Sequence, residues 1–337
     1  MSDDTTPPTL ALRQMVIGYR VTQCLAAAAQ LGVADLLGGG PKPVEELAAA
    51  IGANADALYR VLRALASVGV FEEVEPRRFG LTPLAAALQS EGPQSRRNLA
   101  VFSGEQPYQA WGDIMYSMTT GAPAFNHVFG MPHFDYLAEH PEASATFNRA
   151  MSASSQQSAD AIAAAYDFSA AETVVDVGGG QGMLITTVLR ANPGLRGVLF
   201  DRQHVVDDAI SALEEAGMAD RCARIGGDFL ASVPTGNDLY MLRHIIHDWD
   251  DERSITILRH CAEALAPGGK VLVVEMVIEE GNRASWAKFL DVHMLVMNGG
   301  RERTAEEYRH LFATAGLKMT RIIPAGIEES IIEGERA

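Results

Sequence analysis

A glycine-rich segment in the second half of the chain has the residue types and spacing of a turn that binds a nucleotide-like ligand. Residues 174–177 form a mostly apolar run typical of a buried strand, and Gly178, Gly180 and Gly182 follow it at alternate positions. Because glycine adopts positive φ without strain, such a turn lets the backbone approach a ligand at the carboxyl end of the strand. The dinucleotide fingerprint G-x-G-x-x-G would need a glycine where Met183 stands. A tight strand-to-helix connection without a ligand is the alternative.

Acidic residues follow the next two predicted strands. Asp201 ends the second strand, where a carboxylate can accept hydrogen bonds from both hydroxyls of a ribose. Asp228 ends the third, where it can face an adenine amino group while Phe229 stacks on the ring. Either aspartate alone is also compatible with a helix cap. The turn and the two acids in this order predict a nucleotide-like cofactor.

With these elements in place, the sequence resembles the S-adenosylmethionine-dependent small-molecule O-methyltransferases typified by plant caffeate and bacterial polyketide enzymes. The resemblance covers nearly the whole chain and is clearest in segments 124–131 (AFNHVFGM), 147–152 (FNRAMS), 242–249 (LRHIIHDW), 265–270 (LAPGGK) and 298–304 (NGGRERT). It implies an α/β fold, with a doubly wound Rossmann-like methyltransferase sheet preceded by a mainly helical winged-helix dimerisation domain. It also implies a homodimer formed through that domain.

The resemblance implies which residues contact S-adenosylmethionine and its product, S-adenosylhomocysteine. Arg243 stands where the family commonly has a lysine, and Ser155 matches a position near the methionine end of the cofactor. The residues expected to contact the cofactor are Gly178, Gly180, Gly182, Asp201, Asp228, Phe229, Arg243, Ser155 and Met151.

His247 is the candidate general base, both by its position just past the fourth predicted strand and by resemblance. A phenol, judged by tyrosine, titrates near pH 10 and is a poor nucleophile while protonated. A histidine that titrates near 6.5 is largely neutral at pH 7 and can accept this proton. By resemblance, Glu302 orients the histidine and Glu275 is a second such acid, whereas we expect His244 to point elsewhere and to be structural. No metal is predicted, because no metal-ligand spacing of histidines is present.

The acceptor is expected to lie against the middle helices. An apolar wall with two amides suits a flat hydroxylated aromatic or polyketide-like compound, although methionine and phenylalanine on helices also serve as ordinary core. Asn126, Met151 and Asn298 have the further support of lying in family motifs. The residues expected to contact the acceptor are Asn126, Met151, Met294, Asn298, Trp111 and Phe125.

The chain divides into two parts with different sequence patterns. From residue 173 to 275, short β-branched runs alternate with helical patterns, which is typical of a parallel doubly wound sheet. Runs at 319–323 and 330–332 are separated by a short turn only, which predicts an antiparallel pair at the end of the sheet. The predicted segments are a winged-helix-like dimerisation domain over 10–100, a helical linker and substrate-covering segment over 101–168, and the catalytic domain over 169–337.

Composition narrows the class of protein further. The chain has 337 residues and a formal net charge of −16, which argues against nucleic acid and anionic lipid as partners, because both need a basic face. No apolar run reaches membrane-spanning length, and the polar N-terminus predicts no secretory signal. The widely spaced cysteines, Cys24, Cys222 and Cys261, fit reduced thiols. We therefore expect a cytoplasmic enzyme.

Other functions stay open at this point. The winged helix could belong to a small-molecule sensor that reads DNA through Arg60 and Arg63, although the helix that carries them is mostly Ala, Leu and Val. Relatives of the resembling family have drifted to hydroxylation or decarboxylation with the cofactor bound. N-methylation is a further alternative, since an amine needs less help from a base. The sequence does not identify the acceptor or the position methylated.

Overall fold

In the computed structural model of the protein, residues 7–92, 95–326 and 328–337 are described, with the side chains of residues 152–157 left out of that description. The chain forms two compact units. The first comprises Met1–Gln109 and Phe134–Ser154, and the second comprises Ala110–His133 and Ser155–Ala337. The three segments predicted from the sequence, with boundaries at 100 and 168, stay a prediction.

The N-terminal part is helical, with a small sheet. Its elements are α1 (Pro8–Val16), α2 (Gly18–Gln30), α3 (Val33–Leu36), β1 (Lys42–Pro43), α4 (Val44–Ile51), α5 (Ala55–Ala66), β2 (Phe71–Glu75), β3 (Arg78–Leu81), α6 (Pro83–Ala86) and α7 (Arg97–Gly104). Oδ1 of Asn54 accepts a hydrogen bond from N of Ala57 at 2.9 Å and so begins α5, whose Leu58, Leu62 and Leu65 are buried. Helices α4 and α5 and the antiparallel sheet β1-β3-β2 form the predicted winged helix.

Short helices and one long helix follow. They are α8 (Gln106–Gly112), α9 (Ile114–Thr120), α10 (Ala124–Phe129), α11 (His133–Glu139) and α12 (Pro141–Ala165). Helices α9 and α10 belong to the second unit, where α10 packs against α9 and against the later helix α17 (Trp286–Met297). In the described part of the chain, no helix is both long and apolar enough to cross a membrane.

The C-terminal part alternates strands and helices. Its elements are β4 (Thr173–Val177), α13 (Met183–Ala191), β5 (Arg196–Asp201), α14 (Gln203–Asp208), α15 (Ile210–Glu215), β6 (Cys222–Gly226), β7 (Asn237–Arg243), a 3-10 turn (Ile246–Asp248), α16 (Asp251–Ala264), β8 (Leu265–Glu275), β9 (Val277–Ile278), α17, β10 (Arg303–Thr304), α18 (Ala305–Thr314), β11 (Leu317–Ala325) and β12 (Glu329–Arg336).

The large sheet has the strand order β11-β12-β8-β7-β4-β5-β6. Strands β4 to β8 are parallel, and β12 and β11 are antiparallel to their neighbours, so the predicted doubly wound sheet with a terminal hairpin is confirmed. Alternate residues enter separate cores on the two faces, as Val174 and Val175 do. From β4 the chain builds one half of the sheet through β5 and β6, then returns to β7 on the other side. This reversal opens a crevice at the carboxyl end of β4, where such sheets bind ligands.

Candidate active site

The turn after β4 has a backbone that favours glycine. The φ angle is 71° at Gly178 and 56° at Gly180, both in the left-handed region. A Cβ on Gly178 would overlap Cδ1 of Ile245, and one on Gly179 would lie 2.6 Å from Cγ of Asp176. At Gly180 the same position has nothing within 4 Å. The turn is therefore closed toward the sheet and open at Gly180.

Asp201, the last residue of β5, lies beside this open position. Its Oδ2 accepts a hydrogen bond from N of Gly180 at 2.9 Å. Gly182 has a different surrounding, since a Cβ there would contact the side chains of Leu199 and Leu213 at 3.4 Å. Gly182 thus allows α13 to pack closely on the sheet, whereas Gly180 and Asp201 line the open side.

Asp228 and Phe229 lie on the loop after β6, as expected from the sequence. Oδ1 of Asp228 accepts a hydrogen bond from N of Leu230 at 2.8 Å, and the residue is exposed. The Phe229 ring packs edge-on against Trp249, with 6.0 Å between centroids. Its Cε1 lies 3.6 Å from the position of a Cβ on Gly178. The fold therefore brings Phe229 against the glycine turn.

A buried carboxyl group that was not predicted from the sequence lies beneath the turn. Asp176 is 1% exposed, and the described residues offer its Oδ2 no hydrogen-bond partner. Burial, reinforced by the nearby charge of Asp201, raises the pKa of Asp176 to about 7. A single acid within an otherwise apolar strand is the sequence signal that could have identified it.

The central cluster forms around His247, on the 3-10 turn after β7. Nδ1 of His247 lies 2.6 Å from Oε1 of Glu302 and 3.5 Å from Oε2 of Glu275. Glu275 ends β8, and its Oε1 accepts hydrogen bonds from the backbone N atoms of residues 245–247 at 3.1, 3.0 and 3.3 Å. Glu275 therefore holds the turn in place, while Glu302 engages Nδ1. This leaves Nε2 as the nitrogen that can meet a substrate.

Glu302 reaches the cluster around His247 because strand pairing and hydrogen bonds hold the segment before α18 next to that cluster. Strand β10 pairs in parallel with β9, directly after the end of β8. Arg303 is 1% exposed and donates from Nη2 to Oδ1 of Asp251 at 2.8 Å and from Nη1 to O of Ile246 at 3.1 Å. Gly300 passes so close to the backbone of His247 that a Cβ would overlap it. The Gly-Gly-Arg-Glu-Arg segment thus places Glu302 by backbone proximity and a buried guanidinium.

The carboxylates around His247 decide its protonation state. Burial disfavours the charged imidazole, but Glu275, Asp248 and Glu302 outweigh burial and raise the pKa of His247 to about 10. Burial in turn raises the pKa of Glu302 and that of Asp248. For Glu275, burial is outweighed by the charges of the neighbouring histidines, which lower its pKa. The pKa of His247 therefore lies well above the 6.5 of an ordinary histidine, and the surrounding carboxylates favour the protonated imidazole.

His244 also belongs to the cluster, so the expectation that it points elsewhere is wrong. Its φ of 52° reverses the backbone after β7 and turns its ring to 4.9 Å from that of His247. Nδ1 of His244 lies 3.6 Å from Oε2 of Glu275, and Nε2 lies 2.5 Å from Oε1 of Glu329. The same Glu329 oxygen accepts a hydrogen bond from Nη2 of Arg243 at 2.9 Å. The alternation of side chains along β7 does not continue past a residue with left-handed φ.

Ligand-type atoms of His244, His247 and Glu275 lie within 4.8 Å of one another, a spacing that a metal ion could also use. We interpret this group as an acid–base cluster. The nitrogen of His247 nearest Glu275 is Nδ1, which is already bound to Glu302 at 2.6 Å. A metal-free site stays a prediction, which metal analysis of the purified protein tests.

The residues expected at the acceptor have different surroundings. Oδ1 of Asn126 is buried, and the described residues supply it no hydrogen bond, so this amide oxygen can accept one from a ligand. Asn298 is engaged at both ends, because its Nδ2 donates to Oδ1 of Asp248 at 2.7 Å and its Oδ1 accepts from N of Gly300 at 3.2 Å. Trp111 donates from Nε1 to Nδ1 of His293 at 2.9 Å.

The remaining predicted contacts are less informative. Phe125 is fully buried against Phe129 and His133, with ring centroids at 4.4 and 4.9 Å, which is the surrounding of a core residue. Met294 is buried on α17. Met151 is exposed on α12 and belongs to the first unit, whereas the side chain of Ser155 lies outside the described residues.

A doubly wound sheet whose order reverses at β4, with a glycine turn at that point and a buried histidine–carboxylate cluster beside it, defines a Rossmann-like methyltransferase domain. Two family models match the chain. They are the O-methyltransferase dimerisation domain, over residues 14–91, and the O-methyltransferase domain, over residues 111–318. The chain belongs to this O-methyltransferase family.

Curated relatives extend over nearly the same length. A phenazine O-methyltransferase of Lysobacter antibioticus is 50% identical over 327 residues, which cover 97% of this chain and 96% of the relative. A phenazine-1-carboxylate N-methyltransferase of Pseudomonas aeruginosa is 34% identical over 327 residues, covering 97% of each. Similarity of this degree extends to enzymes that methylate oxygen and to enzymes that methylate nitrogen.

Solved structures agree with this assignment. The crystal structure of LaPhzM superposes with a TM-score of 0.94 at 49% identity and covers 98% of this chain and 100% of that one. An O-methyltransferase from neocarzinostatin biosynthesis, solved with S-adenosylmethionine and 2-hydroxy-5-methyl naphthoic acid, has a TM-score of 0.85 at 33% identity, with 99% and 100% covered. The cofactor of the family is S-adenosylmethionine. This chain fits it, since the glycine turn is open at Gly180.

Proposed function

We propose that this protein is an S-adenosylmethionine-dependent O-methyltransferase that acts on a hydroxyl group of a flat aromatic or polycyclic compound, with His247 as general base. The observation that carries the proposal is the buried hydrogen bond of 2.6 Å between Nδ1 of His247 and Oε1 of Glu302. This bond directs Nε2 to the substrate and stabilises the imidazolium that forms when Nε2 accepts a proton.

The raised pKa makes His247 a strong base. Glu275, Asp248 and Glu302, acting against burial, raise the pKa of His247 to about 10, which matches the pKa of a phenol of about 10. Proton transfer from the phenol to Nε2 then involves no large uphill step, whereas a histidine that titrates near 6.5 would face roughly 5 kcal/mol. The imidazolium must first lose its own proton, so the rate is expected to rise with pH toward the pKa of His247.

Each part of the site has a separate task in the proposed reaction. The cofactor supplies an electrophilic methyl group on a positively charged sulfur. We assign its binding to the glycine turn, Asp201, Asp228 and Phe229, and the positioning of His247 to Glu302 and Glu275. Nε2 of His247 takes the hydroxyl proton while the new C–O bond forms and the C–S bond breaks, which leaves S-adenosylhomocysteine. Oδ1 of Asn126 can accept a hydrogen bond from the substrate.

The names of the relatives indicate which acceptors to test first. A phenazine O-methyltransferase is 50% identical to this chain, and a phenazine-1-carboxylate N-methyltransferase is 34% identical. Hydroxylated nitrogen heteroaromatics and hydroxynaphthoates are therefore the first acceptors to assay. N-methylation is the second candidate, and it differs from the first in needing no base at His247.

We further propose that the protein is a homodimer formed through its dimerisation domain. None of the residues of α1 is buried, and Leu12, Met15 and Val16 are exposed apolar side chains on that helix. Covering them with a second copy removes apolar surface from water. Sedimentation velocity tests this, with a dimer expected at micromolar concentration and a monomer contradicting it.

Methyl transfer from labelled S-adenosylmethionine to a panel of hydroxylated aromatics and matching amines tests the proposed function. We expect O-methylated products, and we expect His247→Ala to lower kcat by roughly 10²- to 10⁴-fold. Cofactor affinity, measured by calorimetry, should be unchanged. His310→Ala, which removes an exposed histidine from α18, is the control and should behave as the wild type. O-methylation by His247→Ala at the wild-type rate would overturn the assignment of the base, and methylation of amines alone would favour the N-methyltransferase.

A further inference from the structure

Trp111 and His293 form a hydrogen bond whose direction is set by their chemistry. Nε1 of Trp111 lies 2.9 Å from Nδ1 of His293, and both residues belong to the second compact unit. The indole nitrogen can only donate, so Nδ1 of His293 must be the accepting nitrogen without a proton. A neutral imidazole carries one proton, which is therefore on Nε2. The tautomer of His293 is determined by Trp111.

His293 also stays uncharged. Burial, with a further contribution from the positive charge of His247, lowers the pKa of His293 to about 4. At neutral pH, His293 therefore presents Nε2–H as a neutral hydrogen-bond donor. No described residue accepts a hydrogen bond from Nε2 of His293, and this atom is accessible to solvent. A donor of fixed direction is thus available to a ligand.

This donor belongs to the surroundings of the catalytic base. Helix α17, which carries His293, is hydrogen-bonded to the catalytic segments at two points. Oδ1 of Asp291 accepts from N of Glu302 at 3.0 Å, and Asn298, which follows α17, donates to Asp248 at 2.7 Å. Helix α17 also packs against α10, which carries Asn126. The helix that positions Glu302 therefore also carries the fixed donor.

We infer that His293 is a specificity-determining residue, whose Nε2–H donates to an acceptor atom beside the hydroxyl that is methylated, with Trp111 as its positioning residue. This role rests on the O-methylation proposed above. The substrate class is an aromatic hydroxyl with a ring nitrogen or carbonyl oxygen in the ortho or peri position. A phenol without such an atom leaves the Nε2–H donor of His293 desolvated and unpaired, which should lower kcat/KM for that phenol by roughly 10- to 100-fold.

Three bicyclic probes of nearly the same shape separate this role from simple fit. The nitrogen of 8-hydroxyquinoline lies beside the hydroxyl, that of 5-hydroxyquinoline lies far from it, and 1-naphthol has none. With chelator present, kcat/KM is measured with S-adenosylmethionine, and affinity is measured by calorimetry on protein loaded with S-adenosylhomocysteine. For both quantities, the wild type should favour 8-hydroxyquinoline by roughly 10- to 100-fold over the other two.

Variants then assign the preference to the residue. His293→Phe keeps an aromatic ring without the donor and should reduce the preference to below roughly threefold. His293→Gln keeps an amide that can accept from Trp111 and donate to the ligand, and it should restore most of the preference. Trp111→Phe releases the tautomer and should give an intermediate value. All three should retain wild-type affinity for S-adenosylhomocysteine, which shows that the cofactor domain is folded.

The outcomes distinguish this role from the proposed function. Methylation of all three probes without preference would retain the O-methyltransferase and overturn the donor. Preferential binding of 8-hydroxyquinoline that is lost in His293→Phe, but without methylation, would support the donor and count against the proposed function. Failure of all three to bind would overturn the substrate class. Nitrogen-15 NMR of the wild type gives a direct check, since a proton on Nδ1 rather than on Nε2 of His293 would contradict the fixed tautomer.

Discussion

Replacing Glu302 by glutamine tests whether the charge behind His247 determines its basicity. Oε1 of Glu302 lies 2.6 Å from Nδ1 of His247, and glutamine keeps an oxygen at this position while it removes the charge. Against the cost of burial, Glu275, Asp248 and Glu302 raise the pKa of His247 from 6.5 to about 10, a preference for the imidazolium of about 5 kcal/mol. Loss of one of these three carboxylates should lower this pKa by roughly 1 to 2 units.

The consequence appears in the pH profile of kcat/KM for a hydroxylated aromatic acceptor. For the wild type, the rate rises as the imidazolium loses its proton and then levels off. For Glu302→Gln, kcat/KM should level off at a pH roughly 1 to 2 units lower, because the pKa of His247 is lower. The plateau value should also be roughly 3- to 10-fold lower, because His247 is then a weaker base. The positive charge of the bound cofactor moves both profiles in the same direction, so the difference between them is the quantity to compare.

Glu306→Gln is the matched control, since Glu306 is an exposed glutamate of α18 that pairs with Arg309. It should reproduce the wild-type profile. Cofactor affinity, measured by calorimetry, should be the same in all three proteins. A Glu302→Gln profile that levels at the wild-type pH and height would refute the role assigned to the carboxylate.

Three further perturbations follow from the structure. Gly178→Ala forces a side chain into a left-handed position against its neighbour and should weaken S-adenosylmethionine binding at least about tenfold, whereas Gly217→Ala, with φ of 68° and open space, should not. Burial lowers the pKa of His133 to about 4, so stability present above pH 6.5 is lost as the pH falls toward 4. His133→Asn should avoid about 2 kcal/mol of this loss at pH 5 in urea unfolding, and exposed His140→Asn should not. Glu329→Gln removes the carboxylate charge that Arg243 and His244 share and should lower the free energy of unfolding by roughly 2 kcal/mol.

Each of these three predictions has a result that would contradict it. Equal cofactor affinity in Gly178→Ala and Gly217→Ala would remove the turn from the cofactor site. An unchanged difference in stability between pH 7 and pH 5 in His133→Asn would mean that this histidine is charged in the folded protein. A Glu329→Gln protein as stable as Glu328→Gln, its exposed neighbour, would show that the bonds of Glu329 to Arg243 and His244 contribute little.

Features that depend on neighbours along the chain could be predicted from the sequence. The predicted strand at 174–177 lies within β4 (Thr173–Val177), and the side chain of Asn54 caps α5. The short turn before the last run did indicate an antiparallel hairpin, since β11 and β12 pair over their length. These features follow from side-chain periodicity, capping and turn chemistry, which act within a few residues.

Around His247, only the tertiary structure determines the chemistry. Glu275 and Glu302 reach its ring from different strands, and together with Asp248 they raise a pKa that the residue type alone would put near 6.5. Sequence patterns do not sum burial and charge over a folded site, so the basicity of His247 could not be predicted. The positive φ of His244 and the bond between Trp111 and His293 were equally inaccessible.

The sequence by itself thus indicated the class of fold, the glycine turn and the central histidine, partly through local spacing and partly through the resemblance to a known family. The tertiary structure decided how strongly that histidine binds its proton, which acids hold it and which tautomer a second histidine presents. The physical reason is that a pKa and a hydrogen-bond direction depend on desolvation and on charges brought together from distant segments, and these exist only after the strands have paired.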